Sequence, residues 1–150
     1  MFRGHYEHSI DGKGRTSLPA RFRAQLPTEG DMRMVIAPAL QPSTCLDVYP
    51  MRAWEELEQR VAGLNRWDRD VMLFRRRYIS AAVEVEIDRA GRVLVPASLR
   101  EKASLRKEVL WAGVGKTMEL WSQARWAAAQ AIEDADMERW TMAVAEKLEL

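Results

Sequence analysis

The sequence predicts a mixed α+β fold, mainly β with α, in which two tandem copies of one small β-rich unit are joined. Three observations support this prediction: a segment that returns 77 positions later, strand-like alternation at the same place in each copy, and helix-like spacing of apolar residues at the end of each copy. A unit of about 75 residues buries little apolar surface by itself, so we expect the two copies to share one sheet or barrel.

The repeat is clearest where residues 10–26 are aligned with residues 87–103. The two segments are identical at seven of 17 positions, whereas background composition would give roughly one match. Further along, Leu46-Asp47-Val48-Tyr49 corresponds to Met118-Glu119-Leu120-Trp121. The repeat therefore indicates a tandem duplication. The predicted divisions are a first repeat over 1–64, a linker helix over 65–80, and a second repeat with a C-terminal helix over 81–150.

Each copy is predicted to open on a strand that ends in a tight turn. Apolar and charged residues alternate from Val83 to Ile87, which indicates a half-buried strand, and its counterpart falls at about residues 5–10. The turn reads Asp-x-x-Gly-Arg and begins at Asp11 in the first copy and Asp88 in the second. An aspartate at this position can accept backbone N–H bonds, and the glycine can adopt a positive φ.

The rest of each copy is predicted as a short strand, a short helix, a hairpin and a longer helix. Pro19 and Pro96 open the short helices, where a missing N–H costs nothing. The first copy ends in a helix that keeps one apolar face from Trp54 to Leu64, and the second ends in a less regular, acidic helix over 123–148. The hairpin strands are expected at 32–37 with 45–49 and at 109–114 with 118–121.

Composition excludes several classes of protein. The 150 residues are 47% hydrophobic and 30% charged, as in an ordinary globular protein. The sequence has neither an apolar run of the roughly 18 residues that cross a bilayer nor the apolar stretch of a secretory signal. The single Cys45 excludes an internal disulfide framework and cannot build a zinc site alone. We therefore expect a cytoplasmic protein without a membrane partner.

Charge is distributed unevenly along the chain although the net charge is only +1. Residues 1–25 carry five Lys or Arg against two acidic residues, whereas residues 119–150 carry seven acidic residues against three basic ones. Such an asymmetry can orient an anionic partner, but charged faces that are simply solvated are the commoner case.

These motifs resemble those of the MraZ family over nearly the whole chain. The opening resembles the family in Met1-Phe2-Arg3-Gly4, Ile10-Asp11-Gly12-Lys13-Gly14-Arg15 and Leu18-Pro19-Ala20-Arg21-Phe22-Arg23, and the second copy resembles it in Asp88-Arg89-Ala90-Gly91-Arg92 with Val95-Pro96. The resemblance implies two tandem AbrB-like swapped-hairpin halves, related to AbrB and SpoVT regulators. In one chain these halves would form a pseudo-two-fold β-barrel flanked by helices.

The resemblance also implies a function. Members of the family are DNA-binding transcriptional regulators that assemble into closed rings and bind short repeated promoter boxes upstream of their own cell-division and cell-wall gene cluster. This predicts double-stranded DNA as the partner, a homo-oligomer, and a nucleoid-associated location. The family's DNA-contacting arginine corresponds to Arg15 and, in the second copy, to Arg92. Lys13, Arg3 and Arg89 are predicted as additional DNA contacts, although the second turn departs from the first at two positions.

From the residues alone, two roles remain open for Arg15: a contact to a base edge or phosphate, and an ion pair with Asp11 four residues earlier. An aspartate that opens a glycine-containing turn is typically a backbone cap, so Asp11 is not interpreted as an acid–base or metal-binding group. His5 and His8 lie on opposite faces of a strand and cannot chelate one metal. No catalytic residue, metal site, cofactor or small-molecule substrate is therefore predicted, and the protein is not expected to be an enzyme.

Other features have simpler interpretations. The basic run over residues 75–77 is interpreted as a solvated or ion-paired helix face, since Asp68 and Asp70 are near. Trp54 and Trp126 recur at equivalent helix starts and are interpreted as packing residues, and Trp111, in a predicted strand, as buried or at a subunit interface. An AbrB-like antitoxin is disfavoured because those proteins normally carry one copy. The main alternative to DNA binding is a protein-interaction or assembly module that uses the acidic C-terminal helix.

Overall fold

The computed structural model describes residues 1–27, 29–40 and 44–150. Its elements occur in the same order in the two halves of the chain. The first half contains β1 (His5–Ser9), β2 (Arg15–Ser17), α1 (Ala20–Arg23), β3 (Arg33–Pro38), β4 (Leu46–Pro50) and α2 (Met51–Ala62). The second contains β5 (Val83–Glu86), β6 (Arg92–Leu94), α4 (Ala97–Lys102), β7 (Glu108–Gly113), β8 (Met118–Ser122), α5 (Gln123–Ala135) and α6 (Met137–Lys147). Between the halves lie α3 (Arg69–Phe74) and a single π-helical turn (Arg75–Ile79).

The strands exchange partners between the two halves. Six of them form an antiparallel sheet in the order β1-β7-β8-β4-β3-β5, and β2 pairs with β6 in a separate ribbon. The counterparts in the two repeats are β1 and β5, β3 and β7, and β4 and β8, and each pair lies at equal distances from the middle of the sheet. The two halves are therefore related by a pseudo-two-fold axis between β4 and β8. The strands β1 and β5 pair with the opposite half. The prediction of an α+β fold made from two tandem halves is confirmed.

The ribbon of β2 and β6 covers one face of the sheet. At its two sides β2 contacts β1 and β6 contacts β5, the two edge strands of the sheet. The core lies between the ribbon and the sheet and includes Phe22, Val93 and Trp111, none of which is more than 1% exposed. Since alternate residues of a strand point to opposite faces, the ribbon buries its middle residues and exposes the others.

The opposite face of the sheet is covered by helices from both halves. Trp54 of α2 and Tyr78 of the π-helical turn pack on β3 and β4, whereas Trp126 of α5 packs on Trp121 of β8. The predicted packing role of Trp54 and the burial of Trp111 are therefore confirmed. Because both faces are covered, β3 and β7 are apolar on both sides over most of their length, whereas β4 and β8 carry Asp47 and Glu119 on the helix-covered face.

The predicted single helix over 123–148 is wrong, because the helix is divided at Asp136 into α5 and α6. Asp136 has φ −115° and ψ 12° and is bound by the guanidinium of Arg139 at 2.6 Å. The carbonyl oxygen of Glu133 accepts the amide of Asp136 and the indole N–H of Trp140. Neither helix contains a buried residue, so little packing opposes a local break at a residue of low helix propensity. Among the described helices, none is both long and apolar enough to cross a membrane.

Candidate nucleic-acid interface

The first Asp-x-x-Gly-Arg segment is a tight turn whose hydrogen bonds involve its aspartate. The carbonyl oxygen of Asp11 accepts the amide of Gly14 at 3.0 Å. Its carboxylate Oδ1 accepts the amides of Lys13 and Arg15 at 3.0 and 2.9 Å. Gly14 has φ +93°, a conformation that favours glycine. The predicted role of Asp11 as a backbone cap is confirmed.

The second segment repeats these bonds with different side chains at its tip. The carbonyl oxygen of Asp88 accepts the amide of Gly91 at 3.0 Å, and its Oδ1 accepts the amides of Ala90 and Arg92, each at 2.9 Å. Gly91 has φ +78°. The turn is therefore specified by the aspartate, the glycine and three amides, and it tolerates a change of the two residues between them.

Each turn also carries an ion pair between its arginine and its aspartate. Nε of Arg15 donates to Oδ2 of Asp11 at 2.8 Å, and Nε of Arg92 donates to Oδ2 of Asp88 at 3.1 Å. Within the described ranges, Nη1 and Nη2 of both arginines make no hydrogen bond to the protein. The amide of Arg15 is the largest influence that lowers the pKa of Asp11, to about 2, and the amide of Arg92 likewise lowers the pKa of Asp88.

The two arginines lie on the same exposed face of the β2–β6 ribbon. Arg15 is opposite Leu94 and Arg92 is opposite Ser17, while the buried Thr16 lies between them on the other face. The Cα atoms of the two arginines are separated by two residues along the strand and by one strand spacing across the ribbon, which corresponds to a distance of about 8 Å. The ribbon thus presents both arginines on one face, each beside its own turn.

The other predicted contacts are placed differently. Lys13 and Arg89 are exposed at the tips of the two turns. Arg3 is also exposed, but it precedes β1 and the first turn follows it. The five residues of β1 span about 17 Å. The structure therefore places Lys13 in the turn of Arg15 and Arg89 in the turn of Arg92, whereas Arg3 lies outside both turns.

Two arginines that the sequence analysis did not single out approach these turns. Arg100 lies beside Gly14, and Arg23 lies beside Gly91, each from the opposite repeat. Residues 23 and 100 are equivalent positions of the two repeats, and both are arginine. This match between the repeats is the sequence feature by which they could have been identified.

The remaining candidates lie away from the ribbon. The arginines over residues 75–77 are exposed and form no ion pair in the part of the chain that is described. Asp68 instead caps α3 by accepting the amides of Asp70 and Val71. The two histidines contact different neighbours, because His5 packs edge-on against Trp126 and Nδ1 of His8 donates to the carbonyl of Ser17.

One group of possible metal ligands is present among the described residues. A sulfur of Cys45 and carboxylate oxygens of Asp47 and Glu119 lie within 4.8 Å of one another. Burial raises the pKa of both carboxyls, which are cross-strand partners on β4 and β8. The hydroxyl of Tyr78 donates to Asp47 at 2.5 Å, and the indole of Trp121 donates to Glu119 at 3.0 Å. The protein thus supplies partners for these carboxylates itself.

Comparison with known proteins supports the duplication and gives the family. A family model described as "MraZ protein, putative antitoxin-like" matches residues 1–77 and again residues 78–145. A relative from Moorella thermoacetica is 46% identical over 126 residues, 84% of each chain. Relatives from Desulforamulus reducens and Nitrosomonas eutropha are 41% and 37% identical, over 93% and 91% of this chain and 94% of each relative. All three relatives are named transcriptional regulator MraZ. The chain belongs to the MraZ family.

Proposed function

We propose that this protein is a sequence-specific transcriptional regulator that binds double-stranded DNA with the exposed face of the β2–β6 ribbon. The observation that carries the proposal is the strand register, which puts Arg15 and Arg92 on one face with their terminal nitrogens unbonded in the described structure. The names of the relatives, all transcriptional regulators, support a regulatory function and not an enzymatic one.

The two roles considered for Arg15 are compatible. Its Nε binds Asp11, and Nη1 and Nη2 remain for the O6 and N7 acceptors of a guanine or for a phosphate. The ion pair restricts the side chain before DNA arrives, so less conformational entropy is lost on binding. A two-stranded ribbon fits the major groove, which is about 12 Å wide. Lys13 and Arg89 at the turn tips would then contact phosphates.

One ribbon provides a small contact area, so we propose that the protein acts as a homo-oligomer, a closed ring. Specific protein–DNA interfaces bury about 1,000–2,500 Å² of protein surface, more than two short turns offer. Several ribbons of an assembly could bind successive short promoter boxes at matching spacing and gain affinity by avidity. The proposed target is the control region of the protein's own cell-division and cell-wall gene cluster, in the cytoplasm at the nucleoid. Arg3, away from the ribbon, would be a secondary phosphate contact.

The proposal is tested by fluorescence anisotropy. Labelled duplex DNA from upstream of the protein's own gene is compared with a scrambled duplex, over a salt series from about 50 to 200 mM. We expect tighter binding to the upstream DNA, steeply weakened by salt. Arg15→Ala should lose about 1–3 kcal/mol of the preference, roughly 5- to 150-fold in affinity. Arg92→Ala shows whether the second turn contributes equally.

The matched control is Arg60→Ala, which removes an exposed arginine from α2 with no ion pair among the described residues. It should bind like the wild type. Equal binding of the two duplexes, or an Arg15→Ala protein that binds as the wild type does, would refute the proposed site.

An assembly module remains the second candidate, because the net charge is only +1 and residues 119–150 carry seven acidic residues against three basic ones. Under that function, binding to DNA would be weak and would not distinguish the two duplexes. Mass photometry on the same preparations measures the assembly independently and gives the ring size.

A further inference from the structure

The two turns are held by hydrogen bonds that cross between the repeats. The carbonyl oxygen of Gly14 accepts the amide of Val95 at 2.8 Å, and the carbonyl oxygen of Gly91 accepts the amide of Leu18 at 2.9 Å. Leu18 and Val95 occupy equivalent positions in the two repeats. Each turn is therefore attached to the opposite repeat at the glycine that precedes its arginine.

An arginine of the opposite repeat packs on each of these glycines. A β-carbon built on Gly14 would lie 2.8 Å from Nε of Arg100, and one built on Gly91 would overlap Nη1 of Arg23. Each guanidinium thus occupies the volume that a side chain would need. Nε of Arg100 also donates to the carbonyl oxygen of Val95 at 3.1 Å, so it binds the residue whose amide holds Gly14.

Neither arginine is neutralised by a carboxylate in the part of the protein that the structure describes. Arg23 ends α1 and Arg100 lies in α4, the short helices that follow β2 and β6 in the chain. An aliphatic side chain could fill space, but only a planar group with donors along its edge can both cover a glycine backbone and bond the neighbouring carbonyl. In the described structure Arg100 does both, whereas Arg23 contacts its turn by packing on Gly91.

We propose that Arg23 and Arg100 are positioning residues that act across the repeats: Arg100 holds the first turn and so aims Arg15, and Arg23 holds the second turn and so aims Arg92. The proposal rests on the proposed function of the ribbon in DNA binding. It differs from a direct phosphate contact by Arg23 or Arg100, because it assigns each arginine to the turn of the other repeat.

The test is a pair of double-mutant cycles on DNA affinity, measured with the duplexes described above. We expect Arg100→Ala to weaken binding severalfold and to have little further effect once Arg15 is replaced by alanine, because the two residues act in one unit. The losses of binding free energy caused by Arg100→Ala and Arg92→Ala should add when the two substitutions are combined. For Arg23→Ala, the loss should add to that of Arg15→Ala and should not add to that of Arg92→Ala. Arg100→Lys keeps the charge but loses the planar edge, and it should not restore the wild-type affinity.

Hydrogen exchange measured by mass spectrometry provides a readout that does not need DNA. Arg100→Ala should speed exchange of the amides in the turn from residue 11 to 15 and leave the turn from 88 to 92 unchanged, and Arg23→Ala should do the opposite. Circular dichroism and urea unfolding confirm that the variants are folded. Equal exchange in both turns, or coupling of Arg100 to Arg92 in place of Arg15, would overturn the proposal.

The outcomes separate this inference from the proposed function. Crossed exchange without any DNA preference of the wild type would refute the proposed function and, with it, the role in binding. If the wild type prefers the upstream DNA but Arg100 is coupled to Arg92 in place of Arg15, the positioning role is refuted and the proposed function stands. The same conclusion follows if Arg100→Lys fully restores the DNA affinity and Arg100→Ala reduces its salt dependence.

Discussion

Replacing Gly14 by alanine tests whether the first turn depends on backbone geometry. Gly14 has φ +93°, and an added β-carbon would lie 2.6 Å from the carbonyl oxygen of Val95. The left-handed conformation costs an L-residue about 1–2 kcal/mol. The carbonyl oxygen belongs to the backbone and must move, which weakens the hydrogen bond between Val95 and Gly14, worth about 1 kcal/mol. We therefore expect Gly14→Ala to lower the free energy of unfolding by about 2–3 kcal/mol.

Two glycine variants set the scale for this effect. Gly12 lies in the same turn, has no atom within 4 Å of an added β-carbon and has no left-handed φ, so Gly12→Ala should be neutral or stabilising by about 0.4–1 kcal/mol. Gly91 has φ +78°, but the nearest atom is the end of the Arg23 side chain, which can move. The free energy of unfolding of Gly91→Ala should therefore lie between those of Gly14→Ala and Gly12→Ala.

Urea unfolding followed by circular dichroism measures all three variants, and the melting temperature of Gly14→Ala should fall by roughly 4–12 °C. If Gly14→Ala is no less stable than Gly12→Ala, the turn has a different backbone conformation and the attachment between the repeats is not as described.

Three further predictions concern the core and the acidic groups. Trp111→Ala should cost about 3–5 kcal/mol in urea unfolding because the side chain is fully buried, and Trp111→Phe should cost less, since the indole Nε1 has no partner among the described residues. Burial raises the pKa of Asp47 and Glu119 above their ordinary values of 3.8 and 4.5. Their contribution to stability is therefore present at low pH and lost as pH rises through the raised folded pKa values. Asp47→Asn with Glu119→Gln should remove this decline, and an unchanged pH profile would contradict it. The pKa of Asp11 is lowered to about 2, so its contribution is present above its ordinary value of 3.8 and lost as pH falls towards 2; Asp11→Asn should lack this loss in acid titrations of stability.

The features that could be predicted from sequence are those fixed by neighbouring residues. The turns follow from local chemistry, because Asp11 and Asp88 bond amides no more than four residues away. The duplication made the prediction stronger, since each strand, short helix and hairpin had to occur twice. The strands of the first hairpin begin within one residue of the predicted positions, at Arg33 and Leu46.

Features that depend on distant partners could not be derived in the same way. The exchange of β1 and β5 between the halves has no local signal, and the resemblance to a family, not periodicity, predicted it. The register that pairs Arg15 with Leu94 depends on that exchange. The carboxylate pair of Asp47 and Glu119 was visible only as two equivalent positions, and its contact requires β4 to lie next to β8 across the pseudo-two-fold axis.

The fusion of both halves in one chain allows the two turns to differ where they would meet DNA. All the bonds that define a turn come from its aspartate, its glycine and backbone amides, and these are the same in both copies. The residues between them, Gly12 and Lys13 in one turn and Arg89 and Ala90 in the other, contribute no side-chain bond to the described structure. A dimer of identical halves would present the same tip twice, whereas this chain presents two tips with charge at different positions. Under the proposed function, the second turn would keep the geometry of Arg92 while its tip contacts a different phosphate or base step, and we expect the ribbon to prefer an asymmetric box in one orientation.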